Sequence, residues 1–455
     1  MSPTNSTYPQ VGFIGLGAMG FAMSLHLVGM GFPVTAYDVY QPALERWRDE
    51  CRKIANAQAR VASCCSEAVE SASVVCLMVA THDHLHSALF DKDTGAIHKL
   101  PQDCAVIIHA TIPLEQPSII HERLVNEFKR PDIALIDAPV SGGVARSTNG
   151  TLVIMASCGE PSLSPNAASK TTLEALASEG RTLYIIPGSL GRGQAAKALN
   201  QVMCGIHIVS ASEIMGLAAI QGLDTQKFYR KLISKESNGN QVPGWSWMLE
   251  NRGPRILSTN PPLASAISII NKDIGIIRSE ENRVGITLSL LDAAGEVITA
   301  AMKTLASADD SFIVQHYFQG RNLVVDRVGN PMVAEEQCDT VMSQIAHAHV
   351  VIHLISAYET IRFACALGLT GSTERKQWYN IIAGAAGGST IFTEVIPRAF
   401  EDIENIDGVF KTYTLEKFPG ILSTTSFILE EANRKGFASK LLEVAHQKLT
   451  LLLDL

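Results

Sequence analysis

The chain has 455 residues, a length that suggests about three domains. Of these residues 46% are hydrophobic and 18% are charged, which is enough apolar material for buried cores. A net charge of −8 offers no electrostatic attraction for nucleic acid or for anionic membranes. Nine cysteines occur without a C-x-x-C pair, which excludes the usual zinc and redox spacings and favours a reducing, cytoplasmic compartment.

The N-terminal sequence and the apolar runs predict a soluble protein. MSPTNSTYPQ, at the start of the chain, is polar and lacks the apolar core of a signal peptide. No run approaches the roughly 18 apolar residues of a membrane span. We therefore expect neither a leader nor a transmembrane helix.

The first predicted strand runs into a glycine-rich turn. VGFIGLGAMG is an apolar strand followed by G-x-G-x-x-G and then by a helix. Gly15 permits the tight turn, Gly17 lets a pyrophosphate approach the backbone, and Gly20 lets the helix pack on the strand. The predicted helix is FAMSLHLVGMG, and its N-terminus attracts phosphate. Ala18 and Met19, which lie within the glycine-rich turn, are predicted to bind the cofactor with the glycines. This pattern predicts a dinucleotide site.

The second predicted strand, PVTAYD, ends at Asp38. This acid lies about 20 residues after the glycines, where a carboxylate binds the hydroxyls of the adenosine ribose. The same carboxylate would repel a 2′-phosphate, and Val39 and Tyr40 supply no arginine to hold one. The sequence therefore predicts NAD rather than NADP as the cofactor.

Apolar strands and amphipathic helices continue to alternate over the next part of the chain. The predicted strands are SVVCLMV (73–79), AVIIHAT (105–111), IALIDAPV (133–140), TLVIMASC (151–158) and LYIIP (183–187). This alternation predicts a largely parallel, doubly wound sheet of the Rossmann type, with ligands at the carboxyl ends of its strands. Thr111 and Ser141 lie at such ends. Met78 and Val79 do too, and they either line the cofactor cleft or pack as ordinary strand-end core.

Three motifs, GFIGLGAMG, DAPVSGG and GRGQAAKALNQ, resemble in order and spacing the β-hydroxyacid dehydrogenase family. That family includes 3-hydroxyisobutyrate and 6-phosphogluconate dehydrogenases, and the resemblance covers residues 11 to about 305. It implies an NAD-dependent oxidoreductase that acts on a short hydroxy acid. It also implies that Ser141, Gly142 and Gly143 bind the substrate carboxylate, for which a hydroxyl and two backbone amides form a compact nest.

Lys197 matches the family's catalytic lysine, which implies that it is the general acid/base. It lies near the start of a predicted helix over 193–221, where the helix dipole and the nicotinamide ring would lower its pKa. The resemblance also assigns Lys272, in NKDIG, and Thr111, in HATIPLEQP, to the cofactor. Ala110 stands before Thr111 where the family has a serine, which leaves one hydroxyl there.

Asn200 and Gln201 follow Lys197 where the family usually has two asparagines. Both are expected to bind the substrate. A glutamine at this place, with SWMLENRGPR downstream, is similar to the L-threonate dehydrogenase branch. This resemblance implies a short hydroxy acid as the substrate, either threonate-like or 3-hydroxyisobutyrate-like.

The C-terminal part of the chain contains an internal repeat. HIVSASEIMGLAAIQGLD, GWSWMLENRGPRIL and SEENRVG recur as HLISAYETIRFACALGLT, GGSTIFTEVIPRAF and EEANRKG, at offsets of 146, 143 and 151 residues. We predict a Rossmann domain over 1–190 followed by two tandem, homologous helical domains over 191–320 and 321–455, which we call the first and second repeats. Residues 306–340 are predicted to form a connector with little core of its own.

The second repeat lacks the residues expected to do chemistry. By the same offsets, Ser343 stands where the first repeat has Lys197, and Ser423 stands where it has Lys272. The second repeat is therefore predicted to be structural and to pack on the first as a partner subunit would. We expect a monomer with an internal pseudo-dimer, or otherwise a homodimer.

Two other functions stay open. An imine or carbonyl reductase of a specialised pathway would have a similar fold, although imine reductases usually lack the lysine found here. A non-catalytic NAD-binding scaffold would need neither lysine. The histidine-rich stretches THDHLH and HAHVVIH are not expected to bind a metal, because hydride transfer assisted by a lysine requires none.

Overall fold

The computed structural model describes residues 8–158, 163, 167–236 and 241–454. The chain divides into two units, Met1–Lys197 and Ala198–Leu455. The first contains the predicted Rossmann domain, and the second contains nearly all of both repeats.

The first unit is built on a six-stranded parallel sheet. Its strands are β1 (Val11–Ile14), β2 (Val34–Tyr37), β3 (Ala59–Val61), β4 (Val74–Leu77), β5 (Ala105–Ile108) and β6 (Ala134–Asp137). Their order across the sheet is β3-β2-β1-β4-β5-β6, and every neighbouring pair is parallel. This is the doubly wound order of a Rossmann fold, which confirms the Rossmann part of the predicted fold class.

Helices cover both faces of this sheet. They are α1 (Ala18–Gly29), α2 (Gln41–Cys51), α3 (Cys65–Val69), α4 (His82–Phe90), α5 (Gln116–Glu122), α6 (Gly143–Thr148) and α7 (Ala168–Leu176). Phe13 and Ile107 belong to one buried cluster, and Ile14 and Leu77 belong to another. Because successive side chains of a strand point to opposite faces, wholly apolar strands such as β1 need cover on both sides.

A second, smaller sheet in this unit differs from the prediction. Residues 151–158 and 183–187 are predicted to extend the main sheet. They instead contribute β8 (Val153–Ala156) and β9 (Leu183–Ile185), which form a three-stranded sheet with β7 (Val140–Ser141). The reason is local: Pro139, which has no N–H for a sheet hydrogen bond, follows β6, and β7 then pairs antiparallel to β8.

The second unit is helical. Its elements are α8 (Arg192–Gln221, which begins in the first unit), α9 (Thr225–Leu232), α10 (Trp247–Ile256), α11 (Ile267–Val284), α12 (Ser289–Leu305), α13 (Leu323–Asp326), α14 (Glu335–Ala366), α15 (Ser372–Ala383), α16 (Thr390–Glu401), α17 (Ile406–Lys417), α18 (Ile421–Arg434) and α19 (Lys440–Asp454). The α8 bounds agree with the predicted 193–221 to within one residue.

Helices α8 and α14 correct one expectation from the sequence. Both contain a window long and apolar enough to cross a membrane. In that window, however, 94% of α8 and 67% of α14 is buried inside the protein. Their apolar character therefore comes from central positions in a packed helical core, as in soluble proteins.

The segment 306–340 is not the core-poor connector that the sequence predicts. Ile313 and Val324 are completely buried. Asp309 is buried as well, and one of its carboxylate oxygens lies 2.8 Å from the guanidinium of Arg255 on α10. The segment thus contains buried core residues and is ion-paired to α10. The sequence did not predict this packing, because a charged residue such as Asp309 has its partner, Arg255, far away in the sequence.

The helices α8 and α14 meet along a seam whose contacts occur in exchanged pairs. The seam residues are Met203, His207 and Ser210 of α8 with His349, His353 and Ser356 of α14. Ser210 Oγ lies 3.0 Å from His349 Nδ1, and Ser356 Oγ lies 3.0 Å from Met203 Sδ. The repeat offset of 146 residues converts the first pair into the second. On the same rule His207 pairs with its own equivalent, His353, with ring centroids 4.0 Å apart. These contacts obey a pseudo-twofold relation.

Two buried glutamates follow the same exchange. Glu213 on α8 accepts hydrogen bonds from the backbone N–H groups of residues 441 and 442, at 3.0 and 2.8 Å. Glu359, its equivalent on α14, accepts from those of residues 290 and 291, at 2.8 and 3.2 Å. Each long helix therefore satisfies the N-terminal N–H groups of the last helix of the other repeat.

The seam histidines are expected to make the stability of the protein sensitive to acid. Burial lowers the pKa of His207 and His349 well below the ordinary value, and it lowers the pKa of His353 to about 3. In the unfolded chain a histidine titrates near pH 6.5. Each seam histidine thus contributes stability that is present above about pH 6.5 and is lost as the pH falls toward the folded pKa.

Replacing His353 with methionine removes one of these groups. Relative to the unchanged protein, the variant is expected to gain up to about 1.4 kcal/mol in free energy of unfolding per pH unit between about pH 6.5 and 5. Urea unfolding at a series of pH values measures this difference. His84→Met, at an exposed position on α4, is the control and should show no such trend. A difference for His353→Met that does not vary with pH would contradict the prediction.

Candidate functional site

The glycine-rich turn after β1 has the geometry that its sequence predicts. Gly15 has a φ of +99°, which other residues rarely adopt. No atom lies within 4 Å of the place where a Cβ of Gly17 would be, so its backbone is open to a ligand. A Cβ on Gly20 would lie 2.0 Å from the carbonyl oxygen of Gly15. The turn is therefore tight, open on one side, and closed where α1 packs against it.

The carboxylate of Asp38, just after β2, is anchored next to this turn. It accepts hydrogen bonds from the backbone N–H groups of Leu16 at 2.5 Å and Tyr40 at 2.7 Å. Val39 is 90% exposed. The carboxylate is thus fixed beside the glycine-rich loop, as expected for a residue that binds ribose hydroxyls.

The remaining predicted cofactor residues of this unit lie around the same turn. Ala18 and Met19 begin α1, with Ala18 exposed and Met19 partly buried. Met78 and Val79 follow β4 and are partly buried. A Cβ on Gly15 would lie 2.3 Å from the Met78 carbonyl oxygen and 3.2 Å from Val79 Cγ1. The structure therefore brings Met78 and Val79 against the loop, whichever of their two predicted roles applies.

The predicted carboxylate-binding residues lie at the turn from β7 to α6, where Ser141 ends the strand, Gly142 connects and Gly143 begins the helix. Ser141 is buried, whereas Gly143 is exposed, and Gly142 and Gly143 have φ values of +135° and +67°. A Cβ on Gly142 would lie 2.5 Å from Cδ of Arg146, so the arginine side chain covers this glycine. Arg146 adds a positive charge beside the turn and was not among the predicted site residues. A basic residue four positions after Gly142 was the available signal.

A buried hydrogen-bond network fixes the first turn of α8. Asp137, at the end of β6, accepts from the backbone N–H of Gln194 at 3.0 Å and from its Nε2 at 2.8 Å. Ser157 Oγ donates to Asp137 at 3.1 Å and accepts from Gly193 N at 2.9 Å. Gln194 also bonds to the backbone on both sides of Thr111, at 2.9 and 3.2 Å. The start of α8 is thereby tied to the ends of β5, β6 and β8.

This network was not predicted, although Asp137 and Gln194 lie inside two of the recognised motifs. Asp137 is completely buried, and burial raises the pKa of its carboxyl group to about 6 while the surrounding donors oppose that shift. A buried acid is costly unless it is hydrogen-bonded. Its presence directly after a strand was the signal that could have identified a structural role.

Lys197 lies in the second turn of α8, one turn past this network. Its side chain is only 6% exposed. Asn200 and Gln201 follow at helical spacings of three and four residues, which places all three on one face of the helix. Asn200 is completely buried, and Gln201 is nearly so.

Asn200 and Gln201 continue into a polar cluster within the second unit. Asn200 Nδ2 donates to Gln201 Oε1 at 3.1 Å, and Gln201 Nε2 donates to Asp273 Oδ2 at 2.5 Å. Asp273 Oδ1 also lies 3.1 Å from Lys272 Nζ on the same helix, α11. The lysine predicted to reach the cofactor is thus ion-paired to the acid that holds Gln201. Asp273 was missed because its partner lies 72 positions away in the sequence.

The histidines of THDHLH and HAHVVIH lie on helices α4 and α14. Thr81 caps the N-terminus of α4, on which His82, His84 and His86 lie. His86 on that helix is 2.8 Å from Gln116. His349 and His353 lie in the seam. Among residues 8–158, 163, 167–236 and 241–454, three or more His, Cys, Asp or Glu side chains nowhere gather as a metal site would require.

Comparisons with known proteins find dehydrogenase relatives for residues 10–186 and 191–317. A family model for the NAD binding domain of 6-phosphogluconate dehydrogenase matches residues 10–186. A model for the NAD-binding region of NADP-dependent 3-hydroxyisobutyrate dehydrogenase matches residues 191–317. The L-threonate dehydrogenase of Cupriavidus necator is 30% identical over 313 residues, which are 69% of this chain and 97% of that protein.

Two solved structures extend the comparison. A 3-hydroxyisobutyrate dehydrogenase from Salmonella typhimurium is 26% identical, with a TM-score of 0.57, and the match covers 67% of this chain and 99% of that one. The 6-phosphogluconate dehydrogenase of Plasmodium falciparum has a TM-score of 0.68 at 15% identity, over 97% of this chain and 92% of that one. This second likeness concerns the fold alone, and it includes the second repeat, which both family models leave unmatched.

Proposed function

The chain belongs to the β-hydroxyacid dehydrogenase family, and from this premise we propose that it is an NAD-dependent dehydrogenase of a short hydroxy acid. The observation that carries the proposal is Lys197. It is a buried lysine on a helix whose first turn is held by Asp137 and Gln194, and it is followed at helical spacing by the amides of Asn200 and Gln201. A basic group so positioned suits proton transfer from a substrate hydroxyl.

The geometry around Gly17 and Asp38 fits a dinucleotide. Gly17 leaves the space that a pyrophosphate requires, and Asp38 presents an anchored carboxylate. Ala18, Met19, Met78, Val79, Thr111 and Lys272 complete the proposed cofactor residues. When bound, the nicotinamide supplies the acceptor for the hydride that leaves the substrate carbon.

We propose that the cofactor is NAD rather than NADP. The carboxylate of Asp38 would repel a 2′-phosphate, and the adjacent Val39 is exposed and uncharged. In the variant Asp38→Ala/Val39→Arg, this repulsion is lost and an arginine is gained. Charge-assisted hydrogen bonds contribute about 1.5–3 kcal/mol, so the NAD-to-NADP ratio of kcat/KM is expected to fall by about 10- to 100-fold.

Steady-state kinetics with each cofactor measure the ratio for this variant. Val39→Arg alone is the control, because it adds the positive charge without removing the carboxylate, and it should move the ratio less. An unchanged ratio in the double variant would mean that Asp38 does not face the ribose.

The other residues of the chain have separate proposed tasks. Ser141, Gly142 and Gly143 would bind the substrate carboxylate through a hydroxyl and two backbone amides, with the charge of Arg146 nearby. Lys197 would take the proton of the reacting hydroxyl in oxidation and return it in reduction. Asn200 and Gln201, buried and hydrogen-bonded to one another, would orient the remaining hydroxyls of the substrate.

The proposed substrate is a short polyhydroxy acid such as threonate, with a 3-hydroxyisobutyrate-like acid as the second choice. Support comes from Gln201, whose amide offers both a donor and an acceptor, and from the 30% identity with an L-threonate dehydrogenase. The test is nicotinamide absorbance with threonate, erythronate, glycerate, 3-hydroxyisobutyrate and 6-phosphogluconate. Turnover of a polyhydroxy acid is the expected result. Silence with all five acids, with NAD still bound, would contradict the proposal and favour a scaffold.

We also propose that the protein is a monomer in the cytoplasm. The seam gives α8 a partner helix within its own chain. The nine cysteines, all of which the structure describes, are in the thiol form, which suits a reducing compartment. Light scattering that shows an obligate dimer, with α8 paired between chains, would overturn the monomer proposal.

A further inference from the structure

The turn before α16, in the second repeat, contacts the turn before α10, in the first. Ser246 and Ser389, the equivalent N-cap residues of these helices, form a β-bridge. Trp247 N donates to the carbonyl oxygen of Gly388 at 3.0 Å, and Thr390 N donates to that of Trp245 at 3.1 Å. Four backbone positions thus lock the two turns together in the same exchanged arrangement as the seam.

This lock holds Gly387 of the second repeat against α8 of the first. A Cβ on Gly387 would lie 2.9 Å from the Cβ of Met203, 2.9 Å from Ile382 Cγ2 and 3.2 Å from Oδ1 of Asn200. The φ of Gly387 is not in the left-handed region, so a positive φ is not what requires a glycine there. Glycine is required at this position by space alone.

Asn200, the residue that Gly387 approaches, begins the polar cluster described above. Its amide donates to Gln201, which in turn donates to Asp273. A movement of Asn200 by a few tenths of an ångström would therefore pass along hydrogen bonds to Gln201. The backbone of the second repeat consequently limits where both proposed substrate-orienting amides can lie.

The equivalent contact on the other side of the pseudo-twofold has no such polar group. Gly244, the counterpart of Gly387, has its nearest neighbour at Leu232 Cδ2, where a Cβ would meet it at 2.9 Å, and its approach to α14 is at His349. The counterpart of Asn200 is Ala346. The two glycines are therefore alike in packing but differ in what they touch.

We propose that Gly387 is a specificity-determining position of the hydroxy-acid site, through which the second repeat sets the positions of Asn200 and Gln201. The inference rests on the proposed function. It assigns the second repeat a part in substrate selection although it contains no counterpart of the catalytic lysine. Gly387 acts through Asn200 and is a positioning residue.

The test compares Gly387→Ala with Gly244→Ala in the panel assay that identifies the substrate. Gly387→Ala is expected to raise KM for the preferred acid by about 10-fold or more, equivalent to about 1.4 kcal/mol, or to change the order of preference among the acids. The affinity for NADH, measured by fluorescence titration, should not change. Gly244→Ala should affect melting temperature to a similar degree while leaving KM and the order of preference unchanged.

The remaining outcomes distinguish a failure of this inference from a failure of the proposed function. Equal KM values in both variants and the unchanged protein would overturn the inference alone, provided that the unchanged protein turns over a hydroxy acid. No turnover by the unchanged protein would overturn the proposed function, and the inference with it. If Gly387→Ala does not fold, the double variant Ile382→Leu/Gly387→Ala removes the Cγ2 branch that the new Cβ would meet at 2.9 Å, at conserved side-chain volume. Its KM should rise with NADH affinity intact, and an unchanged KM there would also overturn the inference.

Discussion

Replacing Lys197 with alanine is expected to lower kcat by about 10²- to 10⁴-fold, the usual contribution of a positioned general acid or base. The lysine is 6% exposed and follows a helical turn that Asp137 and Gln194 fix in place. A buried side chain on a fixed turn cannot readily be replaced by another base or by water. NADH affinity is expected to be unchanged, because Gly17 and Asp38 belong to other elements.

The measurement is steady-state turnover of the preferred acid, combined with a fluorescence titration of NADH. Lys303→Ala, at an exposed position of α12, is the matched control and should retain full activity. Unchanged turnover for Lys197→Ala would show that Lys197 is not the general acid or base. Turnover lost together with NADH affinity would indicate instead that the lysine has a structural role.

Replacing Glu359 with alanine is expected to destabilise the protein by about 2–4 kcal/mol, because each buried N–H group left without an acceptor costs about 1–3 kcal/mol. The donors are the backbone N–H groups of residues 290 and 291. Glu359 and Glu213 are 3% and 0% exposed, and this burial raises the pKa of Glu359 to about 8 and that of Glu213 to about 7. Glu213→Ala should have a similar effect, since it strips residues 441 and 442 of the same acceptor.

Urea unfolding followed by circular dichroism measures both free energies. Glu359→Gln keeps the shape and one acceptor oxygen, so it should lose less stability than Glu359→Ala. Glu430→Ala, at an exposed position of α18, is the control and should stay within about 0.5 kcal/mol of the unchanged protein. A loss for Glu359→Ala no larger than this control would show that the cap contributes nothing to folding.

Local patterns were sufficient to predict the Rossmann part of the fold. The strand, turn and helix around Gly15, and the acid at Asp38, all act through contacts within one βαβ unit, so their spacing in the sequence carries the geometry. The long apolar helix α8 was predicted within one residue for the same reason, because a helix of 30 residues leaves a strong periodic signal.

The parts that were missed depend on contacts between distant residues. Asp273, which holds Gln201, and Asp309, which pairs with Arg255, look like ordinary surface acids in the sequence. β3 was missed because its three residues are mostly exposed and include an arginine. Tertiary partners decide the burial of such residues, and a single sequence contains no record of them.

The repeat was visible in the sequence, but its exchanged contacts were not. Matching blocks imply similar helices, whereas the pairing of Glu213 with one end of the second repeat and of Glu359 with the equivalent end of the first arises only when the two pack together. Duplication of the helical domain stays our proposal, and these reciprocal contacts are the support that the structure adds to it.

The large sequence separation between Glu213 and its hydrogen-bond partners affects folding during synthesis. These partners lie 228 and 229 residues further along the sequence, and α14 must also form before the seam residues of α8 have their partners. On the ribosome, the first repeat therefore emerges long before it can complete its fold, and we expect the nascent chain to depend on chaperones until synthesis is nearly finished. A premature stop codon that removes only α19 should therefore prevent folding of the first repeat. The protein would then be inactive although its proposed catalytic lysine, Lys197, had been translated.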